Sequence, residues 1–266
     1  MLIARFHPPS DTVTSTSPPE ESKPLWGIVE GDTVLTLKSP PFEGIEPGKE
    51  RYSLSEVNLL APVCPSKVVA IGWNYEGHIK ELGNPFPSEP LIFLKAPSAM
   101  IGHNADILLP PESERVDFEG ELAIVMGRKC RRINRSQARD VIFGYTALND
   151  VTARDLQKKD GQFSRAKSFD TFCPAGPWIQ TELDPTAVRV MTHVNGELRQ
   201  DDNTSTMLFD PYYIVEYVSA AMTLNAGDII ATGTPSGVGP LSSGDEVTVS
   251  VEGIGALTNV VKREII

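Results

Sequence analysis

The sequence predicts an α+β fold dominated by mixed β-sheet, with few short helices and a small β-rich N-terminal domain. Three observations carry this. Short β-branched and apolar runs bounded by Gly, Pro and Asn recur along the chain, as strands do. Segments with helical spacing of apolar residues are few. The strand-like runs also show no regular strand–helix–strand alternation, which argues against a doubly wound parallel fold.

In chain order, LIARF and LWGIVEGDTVLTL read as strands, the latter turning at Gly31-Asp32, and Pro-rich polar stretches such as STSPPEESKP and LKSPPFEGIEPGKE separate the early pieces. Residues 1–62 are expected to form the N-terminal domain and residues 63–266 one larger unit, because two prolines punctuate LLAPVCPSKVVAIG just before a β-branched run. Within the larger unit KVVAIG, LIFLKA, ELAIVMG, VIFGYTALN, DIIATGTP and EVTVSVEG read as strands. RVMTHVNGELRQ reads as a hairpin turning at Asn195-Gly196. The helical candidates are residues 76–82, 135–141, 152–158 and the segment PYYIVEYVSAAMTL.

A chain of 266 residues with 40% hydrophobic content and a mean hydropathy of −0.15 can bury a substantial core. Its 24 basic and 35 acidic residues give a net charge of −11 and a pI near 4.9, which opposes nonspecific binding to nucleic acid or anionic membranes and favours a small-molecule substrate. Cys64, Cys130 and Cys173 are an odd count without CxxC spacing, which suggests neither a disulfide framework nor a zinc knuckle and fits the reducing cytoplasm. The N-terminal stretch lacks an apolar core of the signal-peptide kind, and no apolar run approaches the ~20 residues that span a bilayer.

The chemistry concentrates in three acids. In VDFEGELAIVMG, Glu119 and Glu121 are alternate residues of a strand and are expected to share one face. Alone, such a pair reads as a solvated edge. Asp150, however, ends the apolar run VIFGYTALN and opens a polar one, so a third carboxylate sits at a strand end. Like charges in close array call for a cation between them, and oxygen ligands alone favour Mg²⁺, Mn²⁺ or Ca²⁺ over Zn²⁺. His78 and Glu81, three apart on a short helical turn, can touch; either they are a solvated surface pair or the carboxylate holds the imidazole as a general base. Gly72, Gly77 and Gly83 around them would suit a mobile lid. Lys95, Arg154 and Lys167 are candidate anion or oxyanion partners, with Lys95 least at home on a surface because it lies in the apolar run LIFLKA. ATGTPSGVGP is Gly-rich but matches neither phosphate-binding glycine motif, and Thr234 within it could help line a carboxylate pocket.

Taken together and in order, GWNYEGHIKE, VDFEGELAIVMG, GYTALNDVTARDLQ, KSFDTFCPAGPW, VNGELRQ and GDIIATGTPSGVG resemble the fumarylacetoacetate hydrolase superfamily over roughly residues 66–266. The resemblance implies the β-roll fold of that family, its acylpyruvase and 2-hydroxyhepta-2,4-diene-1,7-dioate isomerase members being the nearest in kind. It implies Mg²⁺ or Mn²⁺ on Glu119, Glu121 and Asp150, and a His78/Glu81 dyad in a lid. It further implies a substrate and oxyanion group of Arg154, Gln157 and Lys167, Thr234 of the GTP motif, and Lys95 at a position where a lysine is common. One departure is Trp73, where many relatives carry Arg. The implied substrate is a small 2-oxo acid, and the implied assembly a homodimer. The expected reaction is hydrolysis of a carbon–carbon bond in a 2,4-diketo acid through a metal-bound enolate. Isomerisation of a 2-hydroxydienedioate and decarboxylation of oxaloacetate share that enolate and are the alternatives; a non-catalytic, metal-stabilised binding protein is the reading from another class.

Overall fold

The computed structural model describes residues 1–9 and 23–265; most of the Pro-rich stretch STSPPEESKP lies outside them. The expected fold class holds. Ten strands form the continuous path of a twelve-stranded sheet, in the order Pro47–Ser53, Thr33–Leu37, Leu25–Glu30, Leu2–His7, Cys173–Gln180, Ile142–Asn149, Gly120–Met126, Ile229–Ala231, Val68–Gly72 and Leu91–Lys95. A five-stranded sheet holds the Arg189–Val194 and Glu197–Asn203 hairpin, Glu246–Val251, Gly255–Arg263 and Ile107–Leu109. A third sheet joins Thr152–Ala153, Val116–Phe118 and Gly239–Pro240. The strands before residue 62 share the large sheet with those after it, through antiparallel pairing of Leu2 and Ile3 with Gln180 and Ile179.

The middle of the large sheet is buried on both faces, which is why its strands read as unbroken apolar runs rather than alternating ones. Val68, Ala70, Ala123 and Val125 enter one core cluster, while Val69, Ile71, Leu122, Ile124 and Met126 enter the other. The second cluster is closed by the helix Pro211–Ala221, which packs Ile214, Val215 and Val218 inward. That helix starts where expected: Asp210 caps it by accepting hydrogen bonds from the Tyr212 and Tyr213 N–H groups, and Pro211 sits at its first turn. The hairpin turns at Asn195 and Gly196, with φ of 53° and 80°, the left-handed pair that an Asn-Gly turn provides. Residues 76–82 form the helix Glu76–Leu82, ended by Gly83 at φ 68°. The 152–158 expectation becomes the helix Arg154–Asp160, and the 135–141 expectation a short 3₁₀ turn followed by Ala138–Val141.

One local expectation is corrected. Glu119 and Glu121 do not lie on one continuous strand: Val116–Phe118 belongs to the three-stranded sheet, Gly120–Met126 begins the run in the large sheet, and Glu119 is the residue between them. The chain changes sheets at this point, and the two carboxylates nevertheless converge, as alternate residues of an extended segment do.

Candidate active site

Glu119, Glu121 and Asp150 are all buried, and one carboxylate oxygen from each lies within 4.8 Å of the others. Hydrogen bonds to backbone and side chain hold them in place. The Glu119 N–H donates to Asn149 Oδ1 at 2.9 Å, the Asp150 N–H donates to the Glu119 carbonyl at 2.8 Å, and the Glu121 carboxylate accepts the Gly233 N–H at 2.8 Å. Asp150 follows directly on the strand Ile142–Asn149, as its position at the end of an apolar run suggested.

Three buried cations answer these acids. Lys167 Nζ donates to Glu119 Oε2 (2.8 Å), Asp150 Oδ2 (2.6 Å) and Thr152 Oγ1 (2.8 Å). Lys95 Nζ donates to Asp150 Oδ1 at 2.5 Å, which accounts for a lysine inside an apolar strand. Arg154 donates to Glu119 Oε1 (2.5 Å), to Gln157 Oε1 (2.8 Å) and, through Nε, to Asp117 Oδ2 (2.9 Å).

The balance is uneven across the cluster. Burial pushes the Glu119 carboxyl up, but the charges of Lys167, Arg154 and His78 outweigh it and hold the group far below the ordinary range. Glu121 goes the other way: burial and then the negative charges of Asp150 and Glu119 raise it well above the ordinary value. Burial lowers Lys167, yet Asp150 and Glu119 bring it to a net rise, so it stays charged. Glu121 is thus the under-compensated member, with one N–H donor and two like charges. A hard divalent cation fits this donor set of oxygens alone and would offset that excess.

His78, Glu119, Glu121, Asp150, Arg154, Gln157, Lys167 and Thr234 line one cavity of about 290 Å³. Two of the predicted residues do not line it but contact residues that do. Glu81 Oε2 is 3.3 Å from His78 Nδ1, and Lys95 is behind Asp150. The helix carrying the dyad is docked: the Gly237 N–H donates to both Glu81 oxygens, at 3.2 and 3.1 Å. Trp73, Phe93 and Phe163 give the cavity an apolar side. Trp73 holds φ at 55°, a left-handed backbone that costs a bulky residue energy and is often found at functional sites.

Two residues of this site escaped the sequence reading. Asp117, fully buried, accepts from Arg154 and also from Arg115 Nε at 2.9 Å, so it orients the guanidinium from behind. Its only signal was alternation, since Asp117, Glu119 and Glu121 are spaced by two. Gln200 lies in the quoted motif VNGELRQ, and nothing local to it pointed to the acids.

With this geometry stands a family match: residues 67–262 fit the model of the fumarylacetoacetate (FAA) hydrolase C-terminal family, and residues 1–62 the Rv2993c-like N-terminal family. The chain belongs to the fumarylacetoacetate hydrolase family. It is 52% identical over 229 residues to Protein Rv2993c of Mycobacterium tuberculosis, covering 85% of this chain and 84% of that one. It is 46% identical over 230 residues to the oxaloacetate tautomerase YisK of Bacillus subtilis, covering 80% and 76%. Among solved structures, the 2-hydroxyhepta-2,4-diene-1,7-dioate isomerase of Mycobacterium marinum superposes with a TM-score of 0.89 at 44% identity, covering 99% of each chain. Among the described residues no helix is long and apolar enough to cross a membrane, and Cys64, Cys130 and Cys173 are all free.

Proposed function

We propose that this enzyme moves a proton on a small 2-oxo acid, interconverting keto and enol forms or shifting a double bond conjugated with them. The observation that carries the reading is the convergence of Glu119, Glu121 and Asp150 with Lys167, Arg154 and His78 on one cavity. Relatives named for tautomerisation of oxaloacetate and isomerisation of a hydroxydienedioate support it over bond cleavage. Glu119, Glu121 and Asp150 would hold Mg²⁺ or Mn²⁺, which when bound supplies Lewis acidity for charge developing on a 2-oxo oxygen. Lys167 and Arg154 add fixed positive charge beside the substrate carboxylate and its developing oxyanion. Gln157 steadies Arg154, and Thr234 lines the same cavity. His78 takes the proton from the carbon next to the 2-oxo group and returns one to the enol or dienol. Glu81, itself held by Gly237, fixes the imidazole for that transfer.

A second reading keeps the same residues and adds water: His78, held by Glu81, acts as the base that activates it for hydrolysis of a 2,4-diketo acid. The test is an assay of metal-stripped protein with and without added Mg²⁺ or Mn²⁺, offering oxaloacetate, a 2-hydroxydienedioate and acetylpyruvate in parallel. The reading expects metal-dependent change in the keto–enol or diene absorbance without release of pyruvate. Pyruvate and acetate from acetylpyruvate would establish the hydrolase instead, carbon dioxide from oxaloacetate the decarboxylase, and silence on all three would favour a binding protein. Asp150→Ala is expected to lose activity together with metal binding, whereas His78→Ala keeps the metal and loses turnover; full turnover in the His78 variant would remove its role as base.

A further inference from the structure

Gln200 is 1% exposed and uses its whole amide. Its Oε1 accepts the Gly120 N–H at 2.9 Å, while its Nε2 donates to Thr234 Oγ1 and to the Pro235 carbonyl, both at 2.8 Å. Thr234 Oγ1 in turn donates to the Gly120 carbonyl at 2.9 Å. Both polar groups of the residue between Glu119 and Glu121 are therefore held by this one pair of side chains, at the point where the chain leaves one sheet for another and where pairing with Ile229–Ala231, which begins at Ala123, has not yet started. The loop that Gln200 grips is the same loop whose Gly233 N–H binds Glu121 and whose Gly237 N–H binds Glu81. The fit is close: a Cβ on Gly237 would lie 2.1 Å from the Arg199 carbonyl oxygen, and one on Gly120 would lie 2.0 Å from Thr192 Oγ1 and 3.3 Å from Gln200 Oε1.

We propose that Gln200 is a positioning residue which, directly at the Gly120 N–H and through Thr234 at the Gly120 carbonyl, sets the spacing of the Glu119 and Glu121 carboxylates for a divalent cation and registers the loop that holds Glu81. It does not line the cavity. Its partners lie 80 residues away at Gly120 and 34 residues away at Thr234, so it joins the five-stranded sheet to the metal-ligand turn and to the loop. Outer hydrogen bonds of this kind hold ligating carboxylates in place, and their loss typically costs about 10- to 100-fold in metal affinity or activity. The inference rests on the metal site proposed above.

The decisive experiment titrates Mn²⁺ alone, with no substrate, into chelator-stripped full-length protein by calorimetry, for wild type, Gln200→Met, Thr234→Val and the double variant. Unfolding midpoints in chelator are recorded for each. Gln200→Met is expected to bind Mn²⁺ about 10- to 100-fold more weakly. Thr234→Val, which cuts the carbonyl arm, should weaken binding in the same direction, and Thr234→Ser should restore the wild-type value. The double variant should lose less than the sum of the two single losses, because the two side chains hold the same glycine and each other. Unchanged Mn²⁺ affinity in the single variants, or losses that simply add, would overturn the role of Gln200. Wild-type protein that binds no Mn²⁺ would instead sink the metal reading, and this inference with it. Should Gln200→Met fail to fold, Gln200→Glu decides, since it keeps an acceptor for Gly120 and lacks the donors for Thr234 and Pro235; with the Thr234 pair it reads the same linkage.

Discussion

Asp228 and Glu121 are both buried carboxylates beside the same parallel strand pair, yet they sit in opposite settings. Asp228 accepts from the Ser66 N–H (2.9 Å), Ser66 Oγ (2.7 Å), the Lys67 N–H (3.2 Å), Lys67 Nζ (2.5 Å) and the Asn225 N–H (2.8 Å). Burial pushes its carboxyl up, but the Lys67 bond, the Asn225 N–H and Ser66 outweigh that and leave it below the ordinary range. Glu121 has the Gly233 N–H and two like-charged neighbours, and it is raised. A buried acid saturated with donors is a structural clamp, here fastening the entry of Val68–Gly72 to Ile229–Ala231. A buried acid left short of donors is where the fold keeps room for chemistry.

The largest expected effect separates the two. Glu121→Gln should lower metal-dependent turnover on the order of a thousandfold, the several kcal/mol that Lewis-acid stabilisation supplies. In chelator its thermal midpoint should equal or exceed that of wild type, because a like charge has gone. A variant clearly less stable than wild type would break the comparison. Asp228→Ala should do the reverse, costing about 3 kcal/mol in urea unfolding by stranding buried donors while leaving turnover per folded molecule intact.

Asp117→Asn sharpens the picture within the site. It weakens the grip on Arg154 without touching a ligand, and should lower kcat/KM about tenfold, about 1.4 kcal/mol, with Mn²⁺ affinity little changed. The smallest effect is on pH dependence. Because the folded value of Asp228 lies below the unfolded one of about 3.9, its contribution is fully present above that pH and is lost as pH falls through the folded value. Urea midpoints taken from pH 6 down to 3 should therefore fall more steeply for wild type than for Asp228→Asn; parallel curves would remove the clamp's electrostatic part.

What could be read from the residues followed what is local. Val68–Gly72, Gly120–Met126 and the Asn195-Gly196 hairpin announce themselves by β-branched runs and turn chemistry, and the carboxylates by being acids beside apolar strands. Cys173–Gln180 did not, although it lies in the middle of the large sheet, because Pro174, Gly176 and Pro177 read as breakers. The break at Glu119 was equally hidden, since leaving one sheet for another depends on pairing with Thr152–Ala153 and Ile142–Asn149 rather than on the residue itself. Asp117 and Gln200 act on residues 37 and 80 positions away, so their meaning exists only once the sheets have formed.

The glycine between the two glutamates sets a rule for anyone redesigning this protein. With Thr192 Oγ1 only 2.0 Å from where a β-carbon would stand, even alanine in the spacer obliges the Thr192 side chain to move. A library that varies position 120 therefore has to vary residue 192 in the same clone, and the two codons are best treated as one.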